Sequence, residues 1–170
     1  GLITPFSQKL VDSLKRENLR IERLIGFHSF VELTINSPEE STIIHFALDS
    51  PFRLEQPSDS EDYPGLKIDS LIDIAVNKLL ALVGRAALRD FIDIYFLTNE
   101  RFSKNELTEK AVRKDPGFDL YWLGIAMERL ETFSDDSPDM HLLVRPCPMN
   151  EIREFFSLWK KEIRTALINQ

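Results

Sequence analysis

The sequence predicts an α+β protein in which a small antiparallel sheet precedes a run of helices. Short segments rich in Ile, Val, Phe and Thr are confined to residues 19–48, while apolar residues recur with helical spacing from residue 70 onward. A connection rich in proline, serine and aspartate separates the two patterns over residues 49–65. We therefore predict an α/β platform over residues 1–69 and a helical domain over residues 70–170.

The predicted platform begins with a helix. Phe6, Leu10 and Leu14 lie near one helical stripe, and Ser7 is a suitable start, so we expect this helix to run to about residue 18. The predicted strands that follow cover residues 19–27, 29–36 and 42–48, with a hairpin loop at 36–41 and a further short strand at 66–69.

The helical half contains five predicted helices. Ser70 and Ser103 have the spacing of capping-box residues, and Gly84 is expected to end the first of these helices. Trp122 and Trp159 are expected to anchor the core. The predicted helices cover residues 70–84, 89–98, 103–114, 119–130 and 151–167.

Composition excludes several classes of protein. With 43% hydrophobic and 29% charged residues, the chain resembles a soluble globular protein, and no apolar run reaches the length of a membrane span. The net charge of -7 argues against a surface that coats nucleic acid. A lone Cys147 cannot form a disulfide within the chain, which favours the cytoplasm.

Charged residues are few in the segment 70–97, and they stand among apolar ones. Lys78 and Arg85 are seven residues apart and share one helix face, while Asp90 and Asp93 share a face of the next helix. Because a charge in apolar surroundings is costly unless paired, we expect the two cations to meet the two aspartates or a bound anion.

Two interpretations of these charges are open from spacing alone. They form either a structural network that sets the angle between two helices, or a site in which Lys78 and Arg85 bind phosphate oxygens beside a carboxylate that orients them or acts as a base. Asp73 has a structural alternative of its own, because Ser70-Leu-Ile-Asp73 matches a capping box.

The same residues resemble the late motifs of the AbiEii/AbiGii nucleotidyltransferase family. In that pattern an acidic residue and a lysine on one helix, here Asp73 and Lys78, are followed by Arg85 and by Arg-Asp-x-x-Asp, here residues 89–93. The resemblance extends to residues 49–54 before these helices, to residues 114–119 after them, and to Phe155, Phe156 and Trp159 near the end.

The resemblance implies a polymerase-β-like nucleotidyltransferase sheet followed by a helical bundle. It implies Mg²⁺ and a nucleoside triphosphate, an acceptor such as tRNA, and a cognate antitoxin as a partner. It assigns Lys78, Arg85 and Arg89 to phosphate binding, and Lys78, Asp90, Asp93 and Asp73 to catalysis.

The sequence also departs from the family pattern. The early motif, a Gly-Gly or Gly-Ser turn followed by an Asp-x-Asp strand, does not occur in these 170 residues, and His45 aligns with the third metal-binding carboxylate. Mg²⁺ prefers oxygen ligands, so we expect no metal ligand at His45. His28, His45 and His141 do not have the spacing of a zinc site.

These departures lead to two expectations about function. Neither Mg²⁺ nor a nucleoside triphosphate should bind well to this chain alone, which we expect to be inactive as given. The alternative is a degenerate, non-catalytic binding or antitoxin-interaction module. A sheet that lacks part of its strands would expose an edge, so we also expect a homodimer as one outcome.

Overall fold

The computed structural model describes residues 3–17 and 19–169, without the side chains of residues 23–25. The described chain combines antiparallel sheet with helix, which confirms the predicted α+β class. Two compact units divide between Pro51 and Phe52, so the segment 52–69 lies with the helices.

The first unit, Gly1–Pro51, contains one helix and a three-stranded meander. Its elements are α1 (Ile3–Lys15), β1 (Arg20–Gly26), β2 (Phe30–Asn36) and β3 (Ser41–Ala47), with sheet order β1-β2-β3. Val31, Leu33 and Ile35 of β2 alternate with less buried residues, as expected for a strand with one covered face. Val11 of α1 packs in the core with Val31 and Leu33.

The predicted start of α1 was wrong. The helix begins at Ile3, and Phe6 is 57% exposed rather than buried. Pro5 lies in the first turn, where proline is tolerated because its missing N–H has no partner there. Ser7 and Val11 are the buried residues of α1, so the buried face is displaced by one residue from the predicted stripe.

The second unit, Phe52–Gln170, is mainly helical. A two-stranded ribbon of β4 (Ser58–Asp59) and β5 (Lys67–Ile68) precedes the helices. The helices are α2 (Leu71–Arg85), α3 (Leu88–Glu100), α4 (Lys104–Lys114), α5 (Leu120–Glu128), α6 (Pro138–His141) and α7 (Met149–Ile168), with a 3₁₀ turn at Arg129–Thr132.

Helix α2 lies at the centre of this unit and packs against α3, α4 and α5. Its fully buried residues Ala75, Val76, Leu79 and Leu82 form a continuous apolar face, as their spacing predicted. Helix α7 closes the unit through Phe156, whose ring meets that of Phe91 edge-on at 5.1 Å.

Two helices start at the serine caps predicted from the sequence. The Ser70 hydroxyl accepts a hydrogen bond from the Asp73 backbone N–H at 3.2 Å, and the Ser103 hydroxyl accepts one from the Glu106 N–H at 3.1 Å. Both predicted serine caps are therefore confirmed.

Trp159 is buried as predicted, whereas Trp122 is 58% exposed, so its predicted core role was wrong. Helix α5 turns Leu123 and Met127 inward, and Trp122 lies on its outer face.

The predicted end of α2 was also displaced. Gly84 is an ordinary helical residue, and the helix continues to Arg85 before Ala86 takes the left-handed conformation at φ 46°. The Ala86 N–H donates to the carbonyls of Ala81 and Leu82, which completes the helix terminus. The turn between α2 and α3 is therefore only Ala86 and Ala87.

We expect Gly84→Ala to stabilise the chain by about 0.5–1 kcal/mol, since alanine loses less conformational entropy than glycine on joining a helix. Gly84 is exposed, and a Cβ built there meets no atom within 4 Å. Urea unfolding followed by circular dichroism measures the change.

Gly65→Ala is the matched control, because Gly65 has φ 89°, where a Cβ is strained. This variant should lose about 1 kcal/mol. A destabilised Gly84→Ala variant would show that residue 84 needs a backbone that only glycine adopts.

Candidate functional site

The short turn between α2 and α3 brings four predicted site residues together in two ion pairs. Arg85 lies in the last turn of α2, and Asp90 in the first turn of α3. The Arg85 Nε and Nη2 donate to the two carboxylate oxygens of Asp90, each at 2.8 Å. This bidentate geometry is the strongest form of the arginine–carboxylate contact.

Asp90 is completely buried, so its charge depends on this pair. Burial opposes ionisation of the carboxyl, but the Arg85 hydrogen bond, the charges of Arg85 and Lys78, and a backbone hydrogen bond from Ala87 outweigh it and hold the pKa of Asp90 below its ordinary value. Asp90 therefore also ties the start of α3 to the end of α2. The same hydrogen bonds act in the opposite direction on the guanidinium and raise the pKa of Arg85.

The second pair joins Lys78 of α2 to Asp93 of α3. The Lys78 Nζ lies 2.6 Å from the Asp93 Oδ2, and the two side chains are 32% and 40% exposed. Unlike Asp90, Asp93 is open to solvent and to a ligand. Because the Lys78 charge also acts on Asp90, the two pairs form one electrostatic group.

A cleft opens beside the Lys78–Asp93 pair. Its volume is about 540 Å³, within the range of small-molecule sites. One wall is a face of α2 and the other is a face of α3, with residues at helical spacing on each. The lining residues are Leu71, Ile74, Lys78, Asp93, Phe96, Leu97, Glu100 and Arg101.

Asp73 lies outside this cleft lining and is fully buried. Its carboxylate accepts hydrogen bonds from the Leu54 and Glu55 backbone N–H groups at 3.0 Å and from the Ser70 hydroxyl at 3.0 Å. The Lys114 Nζ donates to it at 2.6 Å, and the Lys114 side chain is only 5% exposed. Asp73 thus joins three segments that are distant in sequence.

Burial alone would raise the pKa of Asp73. The hydrogen bonds from Lys114, from the backbone of Leu54 and Glu55, and from Ser70 outweigh that effect and hold the pKa far below its ordinary range. The carboxylate is therefore ionised and surrounded by donors, the arrangement expected of a group that holds structure together.

Arg89 is exposed on α3, and no ion pair among the residues that the structure describes includes it. It is also absent from the cleft lining. Arg101, Glu100 and Lys114 were not predicted as site residues from the sequence. Arg101 and Glu100 could have been identified from their helical spacing from Asp93. The contact between Lys114 and Asp73 spans 41 residues, so no local sequence pattern predicts it.

His45 lies in the first unit, on β3. Its Nε2 is 2.7 Å from the Glu32 Oε2, opposite it in the β2–β3 register. Over residues 3–17 and 19–169, no three His, Cys, Asp or Glu side chains are grouped so that they could hold a metal ion. The same residues include no helix long and apolar enough to cross a membrane.

Comparison with known proteins gives one match. The family model described as "Nucleotidyl transferase AbiEii toxin, Type IV TA system" matches residues 15–158, most of the chain. No curated protein and no solved structure matches.

We expect Asp73→Asn to destabilise the chain by about 3 kcal/mol, because it leaves the buried Lys114 ammonium without a charged partner. Asp69→Asn is the control: Asp69 pairs with Arg53, is 25% exposed, and should lose at most about 1 kcal/mol. Adding Lys114→Met to Asp73→Asn should recover part of the loss, since it removes the unpaired charge. Equal unfolding free energies for the two single variants would contradict the role assigned to Asp73.

The pKa of Asp73 also predicts how stability depends on pH. Because the folded pKa is depressed, the stabilisation is complete above the unfolded value of about 3.9 and is lost as pH falls below it. The difference in unfolding free energy between wild type and Asp73→Asn should therefore be large at pH 7 and narrow steadily below pH of about 4. A constant difference across that range would show that Asp73 is not held ionised.

Proposed function

The chain belongs to the AbiEii nucleotidyl transferase toxin family, and we propose from this that it takes part in nucleotidyl transfer. In the proposed reaction a nucleotidyl group passes from a nucleoside triphosphate to an acceptor such as tRNA. In this proposal the cleft between α2 and α3 holds phosphate, and Lys78 is its principal cation. The single observation that carries the proposal is the half-exposed Lys78–Asp93 pair on the wall of a cleft of suitable volume.

A half-exposed pair can exchange partners at low cost, which a buried pair cannot. When phosphate oxygens bind the Lys78 ammonium, Asp93 loses its ion-pair partner. Its carboxylate then accepts a proton more readily than it does when paired with Lys78. An acceptor hydroxyl then attacks the α-phosphorus, the bond to pyrophosphate breaks, and the hydroxyl proton passes to Asp93. Lys78 stabilises the charge that collects on the leaving pyrophosphate.

Arg85 and Asp90 have a related but more rigid role in this proposal. Asp90 uses both carboxylate oxygens on Arg85 and fixes the guanidinium plane. Arg85 remains 51% exposed, and its Nη1 is left for a phosphate oxygen. We assign Arg89 to the same task on the strength of the family pattern, and Asp73 to positioning α2 rather than to contact with the ligand.

Mg²⁺ and the nucleoside triphosphate are implied by the family. The metal-binding carboxylates would come from an Asp-x-Asp motif, which these 170 residues do not contain, and the described residues supply no metal cluster in its place. We therefore derive no step through the metal and propose that this chain by itself does not catalyse transfer. A cognate antitoxin is the partner expected for the family.

The alternative is a non-catalytic binding or antitoxin-interaction module. Its support is His45, which stands where the resemblance expects a carboxylate and is paired with Glu32. Under this alternative the cleft still binds a ligand, but no gene product that contains these residues catalyses transfer.

The test is a nucleotide-transfer assay with each labelled ribonucleoside triphosphate, Mg²⁺ and total RNA. The 170-residue chain should give no product. A gene product that also contains a Gly-Ser or Gly-Gly turn and an Asp-x-Asp strand should transfer, and Lys78→Met in it should lower the rate by about 10²-fold or more.

Lys110→Met is the matched control, because Lys110 is a lysine of α4 outside the cleft lining, with a side chain 27% exposed and its ammonium 4.0 Å from Glu106. Both variants should unfold like wild type, which separates loss of activity from loss of fold. Transfer by Lys78→Met equal to that of Lys110→Met would exclude Lys78 from the site. Absence of transfer by every longer gene product would favour the binding module.

A further inference from the structure

The cleft between α2 and α3 contains a cation that neither the family pattern nor the two ion pairs account for. Arg101 follows α3, is exposed, and lines the cleft together with Lys78. No ion pair or side-chain hydrogen bond engages its guanidinium within the part of the chain that the structure describes.

The other charges that line the cleft are already balanced. Lys78 is paired with Asp93 at 2.6 Å. Glu100 is paired with Arg145, whose guanidinium lies 4.6 Å from the centre of the Phe96 ring. The charged lining residues by themselves sum to zero, and the Arg145 partner of Glu100 leaves one positive charge in excess, that of Arg101, which suits this position to an anion.

The space between the two cations is apolar. Asp93 and Glu100 are seven residues apart on α3, so this wall of the cleft is about 10 Å long. Between its ends lie Leu71 and Ile74 of α2, which are 46% and 37% exposed although both are large aliphatic side chains.

We propose that Arg101 is a second phosphate-binding residue of this cleft and that, with Lys78, it holds the phosphates of a nucleoside triphosphate. This inference rests on the proposed function for the identity of the ligand. It adds a specific residue, which does not follow from membership of the family.

The test is a titration of the ¹⁵N-labelled 170-residue chain, followed by two-dimensional NMR, with inorganic tripolyphosphate and with ATP, GTP, CTP and UTP in turn. NMR detects the weak binding expected of this chain alone. Amide shifts should centre on Leu71, Ile74, Leu97 and Arg101, with tripolyphosphate as well as with the nucleotides.

Arg101→Gln should weaken the binding of both kinds of ligand by about fivefold or more, the loss expected for one charge-assisted contact. Arg113→Gln is the matched control, because Arg113 is an exposed arginine on α4 outside the cleft lining. Arg101→Gln should leave the shifts of the unliganded spectrum unchanged beyond its neighbours, which verifies the fold.

Equal affinities for Arg101→Gln and Arg113→Gln would overturn the inference, as would shifts confined to another surface or no shifts at all. If Lys78→Gln weakens binding while Arg101→Gln does not, the proposed function of Lys78 stands and the assignment of Arg101 fails. A different outcome is that Arg101→Gln weakens binding but none of the longer gene products transfers a nucleotide. In that case the cleft assignment stands and the proposed reaction fails.

Discussion

The helical unit depends on one buried carboxylate. Asp73 is ionised, has no contact with solvent, and is surrounded by donors from the segment 54–55, from Ser70 and from Lys114. A buried ion of this kind is tolerated only when every partner is present, so the partners are held to one arrangement. The start of α2, the end of α4 and the segment before the β4–β5 ribbon are thereby joined at one point.

The position of the cleft follows from that anchor. Helix α2 has Asp73 in its first turn and buries one face in the core. Its residues Leu71, Ile74 and Lys78 line the cleft. The two-residue turn then reverses the chain, so that Asp90 meets Arg85 and Asp93 meets Lys78. In the Arg85–Asp90 pair the carboxylate is fully buried, whereas in the Lys78–Asp93 pair it is 40% exposed. That difference in burial separates a group that holds the helices from a group that can meet a ligand.

Much of this arrangement could be predicted, because its signals are local. The serine caps, the apolar face of α2 and the pairing of Lys78 and Arg85 with two aspartates all follow from helical spacing. Predictions failed where two local signals competed. Gly84 was expected to end α2, yet Ala86 takes the left-handed position, and Trp122 was expected in the core although Leu123 and Met127 occupy the inward face of α5.

The sequence by itself determined the α+β class, the family and the pairing of Lys78 and Arg85 with two aspartates, because each depends on periodicity or spacing over a few turns. Only the tertiary structure decided what each charge does. It placed Asp73 against Lys114 across 41 residues, and it buried Asp90 but exposed Asp93. It also brought Arg101 to the cleft that Lys78 lines, with no ion pair among the described residues. Burial and partner choice arise when distant segments pack together, and no local pattern along the chain records which segments will meet.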